Sequence, residues 1–319
     1  MQASHLAGIG TLLFFAFTVW GDYNFSPDTP LNGTPNSIRF EGLERSYTLF
    51  EPSGTYEKSS FPLIIVLHGG GSTAKGMVRL TQGRFNNIAE REGAYVVYPE
   101  GVRRHWNEGR DLPLSYAHRA NVNDVGFIET LVNKLVAEYP VNPNQVFVTG
   151  MSDGGLMAYR LACARPDLFA AIAPVNASIP EDLMESCRAA AGTGLMVVNG
   201  TADPHMPYDG GTISVFGVER GEVLSTRATV DHWLGINGCP AHSRKKMLPD
   251  LSRRDETTVT RYAYSGCQSG VNVALYRVEG GGHTWPGGRQ YLREDRIGRT
   301  SRDINACDEI WNFFSHFQG

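Results

Sequence analysis

Ser152 lies in a sequence pattern that can turn a serine hydroxyl into a nucleophile. It is the centre of a G-x-S-x-G sequence at 150–154, which follows an apolar, strand-like run and precedes a helix-compatible run. A strand that turns sharply into a helix raises the serine hydroxyl out of the sheet. The start of the helix also places backbone N–H groups where an oxyanion would form. This context disfavours the alternative of a chance match in a glycine-rich chain, and we predict Ser152 as the nucleophile.

A serine hydroxyl is a weak nucleophile at neutral pH, so it needs a base and a third group that orients this base. In α/β-hydrolases, which this strand, serine and helix pattern resembles, the chain order is serine, acid, histidine. Asp203 follows the strand-like run 195–199 by four residues, and His283 follows the run 273–278 by five. We therefore predict Asp203 as the acid and His283 as the base. The nearest alternatives are Asp209, His205 and His232.

A glycine-rich loop, His68 to Gly71, comes directly after the apolar run 62–67. Loops of this type present backbone N–H groups to a developing oxyanion, together with the N–H of the residue after the nucleophile. We expect the N–H groups of Gly70 or Gly71 and of Asp153 to serve in this way. His68 is expected to have a structural role.

Two tryptophans are candidates for substrate contact. Trp106 lies in a polar loop and Trp285 lies two residues after His283. Either could line an acyl or aromatic subsite, and anchoring a loop is an equal alternative for both. Asp124 comes well before the nucleophile and is interpreted as a helix cap.

Strand-like and helix-like runs alternate over more than 200 residues, and this predicts the fold class. The strands are expected at 37–40, 45–50, 62–67, 94–98, 145–149, 170–175, 195–199 and 273–278. The helices are expected at 124–139, with Asn123 or Asp124 as N-cap, at 154–165 and at 219–234. The alternation predicts an α/β fold with a mostly parallel central sheet and helices on both faces. The interval 176–194 is too short for a lid domain, so we expect an open site.

The N-terminus predicts export. An apolar run at 6–20 is followed by polar residues, which is typical of a signal peptide at 1–21. A retained anchor or a misassigned start is the alternative, because no Lys or Arg precedes the run. Residues 22–36 are expected to form a flexible leader and 37–319 one catalytic domain, secreted to the extracellular space or the periplasm.

The charge pattern excludes several partner classes. The net charge is −4 at pH 7, with 29 Lys and Arg against 33 Asp and Glu. This charge is too small and too mixed to favour nucleic acid, and no block of Lys or Arg indicates an anionic membrane surface. We expect no metal, no organic cofactor, no nucleic acid partner and no membrane insertion. The oligomeric state stays open.

Five cysteines occur without a C-x-x-C pair, so zinc and thioredoxin-type sites have no support. Export favours disulfides. Proximity in the sequence suggests the pairs Cys163–Cys187 and Cys239–Cys267, which leaves Cys307 as a buried free thiol on a C-terminal helix.

Taken together, five motifs resemble those of the polyhydroxybutyrate depolymerase and feruloyl esterase group of α/β-hydrolases. They are LHGGGS at 67–72, NDVGF at 123–127, GMSDGG at 150–155, GTAD at 200–203 and GGGHTWPG at 280–287. The resemblance covers residues 37–317 and implies secreted, lidless enzymes that hydrolyse polyesters or hydroxycinnamoyl esters. It implies the triad Ser152, Asp203 and His283 for this chain.

The chain departs from the depolymerase pattern in two respects. Many depolymerases have Cys where this chain has Gly70, and many carry separate linker and substrate-binding domains. We therefore expect a secreted serine carboxylic ester hydrolase that forms an acyl-enzyme. Its expected partner is an ester substrate, polymeric or soluble, of the feruloyl, plant-polysaccharide or related aromatic type.

Three alternatives stay open. The first is a polyhydroxyalkanoate depolymerase or oligomer hydrolase. The second is a serine peptidase of the same fold, although such peptidases usually carry a propeller or cap. The third is a non-catalytic binding protein, which would be expected to lack the serine or the histidine.

Overall fold

The computed structural model describes residues 33–111, 113, 115–189 and 191–317. Twelve strands are present in this part of the chain: β1 Thr34–Phe40, β2 Leu43–Phe50, β3 Phe61–Leu67, β4 Tyr95–Pro99, β5 Val141–Met151, β6 Ala171–Val175, β7 Gly194–Gly200, β8 Gly211–Val215, β9 Val218–Val223, β10 Arg244–Met247, β11 Thr258–Tyr264 and β12 Val273–Glu279. The helices are α1 Ala74–Leu80, α2 Arg84–Glu92, α3 Tyr116–Arg119, α4 Asp124–Glu138, α5 Asp153–Ala164, α6 Thr226–Ile236, α7 Glu294–Ile297 and α8 Ala306–Phe314. Short 3₁₀ helices occur at Val102–Arg104, Glu181–Leu183, Ser186–Ala189, Arg253–Asp255 and Ser315–Phe317.

Ten of the strands form one sheet in the order β1-β2-β4-β3-β5-β6-β7-β12-β11-β10. The six central strands, from β4 to β12, are parallel, and the outer strands on both sides pair antiparallel. Since parallel strands point the same way, the residues that follow β3, β5, β6, β7 and β12 meet at one edge of the sheet. All of the predicted site residues except Trp106 and the cysteines lie in or just after these strands.

Successive residues of β3 contribute to different cores, as the period of two in a strand requires. Leu63 and Ile65 belong to the core on one face, and Ile64 and Val66 belong to the core on the other. The first core is closed by α4, α5 and α6, and the second by α1, α2 and α8. A strand buried on both faces reads as a continuous apolar run, which explains why this one was evident from the sequence. The predicted α/β fold class is confirmed.

The predicted helix at 219–234 is wrong in its first part. Residues Val218–Val223 form β9, which pairs antiparallel with β8, and α6 begins only at Thr226. The Ser225 side chain caps α6 by accepting a hydrogen bond from the Ala228 N–H. The sequence does not indicate this hairpin, because its two-residue turn is Phe216–Gly217 rather than the usual Asn-Gly or Asp-Gly.

The N-terminal predictions fall mostly outside the described residues. The expected signal peptide, 1–21, and the leader up to residue 32 are not among them. The end of the expected leader, 34–36, is part of β1, where Pro35 pairs with Thr48. Every helix in the described part of the chain is too short or too polar to span a bilayer.

The structure contains the two disulfides that proximity in the sequence suggested. Cys163 at the end of α5 joins Cys187, and Cys239 after α6 joins Cys267 after β11. The fifth cysteine, Cys307 in α8, is a buried free thiol. The Cys239–Cys267 bridge closes a loop that contains β10 and β11. Strand β11 pairs with β12, the strand that leads to His283.

Replacing both Cys239 and Cys267 by Ser should therefore lower the stability of the fold. The pair closes a loop with a sequence separation of 28 residues, for which chain entropy predicts a loss of about 3–4 kcal/mol in the free energy of unfolding. Denaturant unfolding of the oxidised wild type and the double variant measures this difference. Thiol alkylation of the native wild type is the control: if Cys239 and Cys267 were both alkylated without reductant, the assignment would be wrong.

Candidate active site

Ser152 occupies a strained backbone conformation at the turn between β5 and α5. Its φ is 56° and its ψ is −124°, a region that residues other than glycine rarely adopt. Its N–H donates to the Val175 carbonyl at 3.1 Å, so the end of β6 holds the turn. Strain of this kind persists only where the surroundings enforce it, and it clusters at functional sites.

Helix α5 starts so close to the end of β3 that position 154 has no room for a side chain. A Cβ at Gly154 would lie 2.4 Å from the Leu67 carbonyl oxygen and 2.7 Å from that of His68. The second glycine of the G-x-S-x-G sequence is therefore required by backbone-to-backbone contact. This contact brings the His68–Gly71 loop beside Ser152.

Asp203 and His283 are brought together at the ends of β7 and β12. His283 Nδ1 lies 2.7 Å from Asp203 Oδ2, and both side chains are almost fully buried. The other carboxylate oxygen, Oδ1, accepts hydrogen bonds from the N–H groups of His205 and Met206, at 2.7 and 2.8 Å. Because Oδ1 is bound by the backbone, Oδ2 is left to orient the imidazole. When Nδ1 donates to it, Nε2 of His283 is free to accept a proton.

Asn176 ties the histidine loop to the strand next to Ser152, a role that sequence reasoning missed. Its side-chain amide donates to the carbonyls of Gly282 and Thr284, at 3.2 and 2.6 Å, on either side of His283. Its Oδ1 accepts from the Gly200 N–H at 3.0 Å. The residue before it, Val175, accepts from the Ser152 N–H. The signal in the sequence was a polar residue directly after a buried strand.

The structure distinguishes between the two glycines that the sequence offered as alternative oxyanion donors. The Gly71 N–H donates to the Arg104 carbonyl at 2.8 Å, so Gly71 is wrong as an oxyanion donor. Gly70 has no such backbone partner among the described residues, and it touches Asp153: a Cβ at Gly70 would lie 2.2 Å from Asp153 Oδ2. The N–H groups of Gly70 and Asp153 thus remain as the candidate pair.

A buried chain of charges surrounds the Asp153 side chain. Arg110 Nη2 donates to Asp153 Oδ1 at 3.1 Å, and its Nε forms a short contact with Glu108 Oε1. His105 Nδ1 lies 3.4 Å from Asp153 Oδ2 on the opposite side. Burial by itself would raise the pKa of Asp153, but the positive charge of Arg110 and the His105 contact hold this pKa well below its usual range. Asp153 is therefore an ionised carboxylate that is paired with Arg110 and contacts His105.

Neither tryptophan lines an open subsite, which corrects the prediction that they contact substrate. Both have 0% exposure. Trp106 packs on His68, and its Nε1–H donates to the His68 carbonyl at 2.8 Å. Trp285 packs edge-on against Phe85, with ring centroids 6.0 Å apart. Both residues anchor loops, because their side chains are buried in the interior.

The remaining sequence candidates have other roles. The carboxylate of Asp124 binds Arg45 and the Asn107 N–H, at 2.6 and 2.7 Å, while Asn123 caps α4. Asp209 is exposed. His205 contacts the ring of His283, with centroids 5.3 Å apart, and its own Nδ1 lies 2.9 Å from the Ser214 carbonyl. His232 lies on α6, 3.4 Å from the Cys187 carbonyl.

Comparison with known proteins places these features in a family context. Residues 45–206 match the family model described as Esterase PHB depolymerase. NocK of Nocardia uniformis subsp. tsuyamanensis, whose name marks it as a candidate esterase, is 31% identical over 88% of this chain and 82% of its own. Feruloyl esterase D of Neurospora crassa is 27% identical over 90% of this chain and 87% of its own.

Among solved structures, the acetyl xylan esterase from Aspergillus awamori superimposes with a TM-score of 0.57 at 15% identity. The match covers 89% of this chain and 99% of that one. At this identity the likeness concerns the fold alone. It confirms the expected α/β-hydrolase fold.

His68 makes the stability of the loop beside Ser152 depend on pH. Burial lowers the pKa of His68 to about 4, although the Gly69 carbonyl next to Nδ1 favours the protonated form. Its Nε2 accepts the Gly101 N–H at 3.0 Å, which requires the neutral ring. The unfolded chain takes up this proton near pH 6.5 and the folded chain only near pH 4. The stability that the neutral ring contributes is therefore complete above about pH 6.5 and is lost as the pH falls towards 4.

His68→Gln should remove this pH dependence. Between pH 7 and pH 5 the free energy of unfolding of the wild type should fall by about 2 kcal/mol more than that of the variant. Urea unfolding at the two pH values measures the difference. The matched control is His242→Gln at an exposed histidine, which should keep the wild-type pH dependence; an unchanged dependence in His68→Gln would refute the role of His68.

Proposed function

The chain belongs to the Esterase PHB depolymerase family, and from this premise we propose that it is a secreted serine carboxylic ester hydrolase with Ser152, Asp203 and His283 as its triad. The observation that carries the triad is the 2.7 Å contact between Asp203 and His283, at the ends of two parallel strands. Ser152 stands at the end of a third, in the strained turn that positions a nucleophile.

The reaction follows from the placement of these groups. Ser152 Oγ attacks the ester carbonyl carbon while His283 Nε2 accepts the hydroxyl proton, and Asp203 stabilises the resulting imidazolium. The oxyanion accepts hydrogen bonds from the N–H groups of Gly70 and Asp153. His283 then gives the proton to the leaving alcohol. Water, activated by the same histidine, releases the acid from the acyl-enzyme.

The charge balance at Asp153 supports this use of its backbone N–H. An unpaired carboxylate beside the oxyanion would oppose the negative charge of the intermediate. Arg110 pairs with the carboxylate from a position that is itself almost fully buried. This pairing offsets part of the negative charge beside the oxyanion, while Glu108 shares the same guanidinium.

Aromatic esters of plant polysaccharide, such as feruloyl esters, are the proposed substrate class. The likeness to a feruloyl esterase over nearly the whole of both chains supports this choice. Gly70 supports it as well, because a side chain at position 70 would displace the Asp153 carboxylate, and many depolymerases carry Cys there. The two disulfides support export. Polyhydroxyalkanoate hydrolysis is the second candidate, favoured by the family description.

Ser152→Ala and Ser152→Gly should both lose nearly all turnover of p-nitrophenyl acetate, because neither side chain can attack the ester. Their stabilities should differ, since glycine adopts positive φ without strain: Ser152→Gly should be more stable than Ser152→Ala by about 1 kcal/mol. Initial rates and denaturant unfolding measure the two effects.

Ser225→Ala is the matched serine control. It removes the cap of α6 and should cost about 1 kcal/mol of stability while leaving turnover intact. If Ser152→Ala kept more than a few per cent of the wild-type rate, the proposed mechanism would be wrong.

A substrate comparison separates the two candidate classes. We expect kcat/KM on methyl ferulate to exceed that on a hydroxybutyrate oligomer, with a short p-nitrophenyl ester as the reference for intact catalytic machinery. Strong cleavage of the oligomer beside negligible turnover of ferulate would reverse the assignment.

A further inference from the structure

The hairpin of β8 and β9 is attached to the site on two sides. On one side, the Ser214 N–H donates to the His205 carbonyl at 3.1 Å, and the Ser214 carbonyl lies 2.9 Å from His205 Nδ1. On the other side, the Arg220 carbonyl accepts a hydrogen bond from Arg110 Nη1 at 2.6 Å. Since His205 and Arg110 contact His283 and Asp153 respectively, the hairpin is fixed relative to both.

The turn of this hairpin holds a residue that its geometry disfavours. Phe216 and Gly217 connect the paired residues Val215 and Val218, and both have positive φ, 52° and 81°. Two-residue turns of this kind favour Asn, Asp or Gly at the first position, because a bulky side chain is strained at positive φ. An aromatic residue at this position carries a conformational cost, and such costs are typical of functional sites.

The Phe216 ring is nevertheless exposed, and it lies close to the proposed base. Phe216 is 56% exposed, and the other exposed large hydrophobic residues that the structure describes are not aromatic. The ring packs edge-on against His205 at 4.9 Å, and His205 packs against His283 at 5.3 Å. Burial lowers the pKa of His205, and the proximity of His283 lowers it further, so the ring between them is neutral. The rings of His283, His205 and Phe216 therefore form a continuous row that runs from the proposed base to an exposed phenyl ring.

The Phe216 ring lies on the side of the site where the alcohol part of the ester is expected. In the proposed mechanism, the proton on His283 goes to the leaving oxygen, so the alcohol part of the ester departs on the histidine side. The oxyanion donors, Gly70 and Asp153, lie on the side of the β3 loop instead. A group that extends from the leaving oxygen in the direction of the buried His205 ring would reach the exposed face of Phe216.

We propose that Phe216 is a specificity-determining residue that packs against the alcohol part of the ester, favouring alcohols with an extended apolar face such as a ring. This inference rests on the proposed function, since it uses His283 as the group that protonates the leaving alcohol. It explains why a strained position in an exposed turn holds a large aromatic side chain.

The test compares esters that differ in one part only. Methyl acetate and benzyl acetate share the acyl group, and methyl acetate and methyl cinnamate share the alcohol. Phe216→Asn should lower kcat/KM for benzyl acetate about three- to tenfold, the effect of losing one aromatic contact. Its kcat/KM for methyl acetate and methyl cinnamate should stay within about twofold of wild type by the same reasoning.

Stability separates this role from a structural one. Asn suits the first position of the turn, so Phe216→Asn should unfold at the same temperature as wild type or higher. Phe216→Tyr keeps the ring and should restore the preference for benzyl acetate. A loss confined to methyl cinnamate, an equal loss on all three esters, or an unchanged preference would each overturn the proposal. A wild type that hydrolysed none of the esters would instead refute the proposed function.

Discussion

The backbone contact between the first turn of α5 and the end of β3 is the constraint on which the site depends. Gly154 must lie against the carbonyls of Leu67 and His68, and no side chain fits between them. Ser152, two residues before Gly154, has its strained conformation, and the Gly70 backbone lies beside Asp153. The proposed nucleophile, the candidate oxyanion donors and the Asp153 carboxylate therefore all lie next to this contact. A larger separation between α5 and β3 would move the candidate donors away from Ser152.

Because of the same contact, a buried carboxylate must be paired with a positive charge from the surrounding loops. The contact buries the Asp153 carboxylate beside the proposed oxyanion position, and a buried charge is costly unless it is paired. Arg110 pairs with it, and Glu108 in turn binds Arg110 and lies 2.5 Å from His118. Because Arg110 also binds the Arg220 carbonyl, the charge network reaches the hairpin of β8 and β9. The hairpin and the oxyanion region are therefore stabilised by one set of interactions.

Asn176 has the corresponding role on the histidine side. A parallel sheet brings the ends of β6, β7 and β12 to one edge, but strand pairing alone leaves the loops beyond those ends unsupported. The Asn176 amide binds Gly200 and the residues on both sides of His283. Asparagine suits this position, since it tolerates its φ of 46° and provides a donor and an acceptor. The Asp203–His283 pair is thereby held relative to the Ser152 turn.

The sequence by itself determined the features that depend on local patterns. The buried strands β3, β6 and β7 read as apolar runs, and the serine, acid and histidine follow three strands in the order typical of the fold. Both disulfides join cysteines that are close in the sequence. The tertiary structure alone decided that Trp106 and Trp285 are buried, that the Gly71 N–H binds Arg104, and that 218–223 is a strand. Exposure and hydrogen-bond partners depend on residues distant in the chain, and the pairing of β8 with β9 prevailed over the helical pattern of 219–234. No local pattern contains that information, because it arises only when the strand ends and their loops meet at one edge of the sheet.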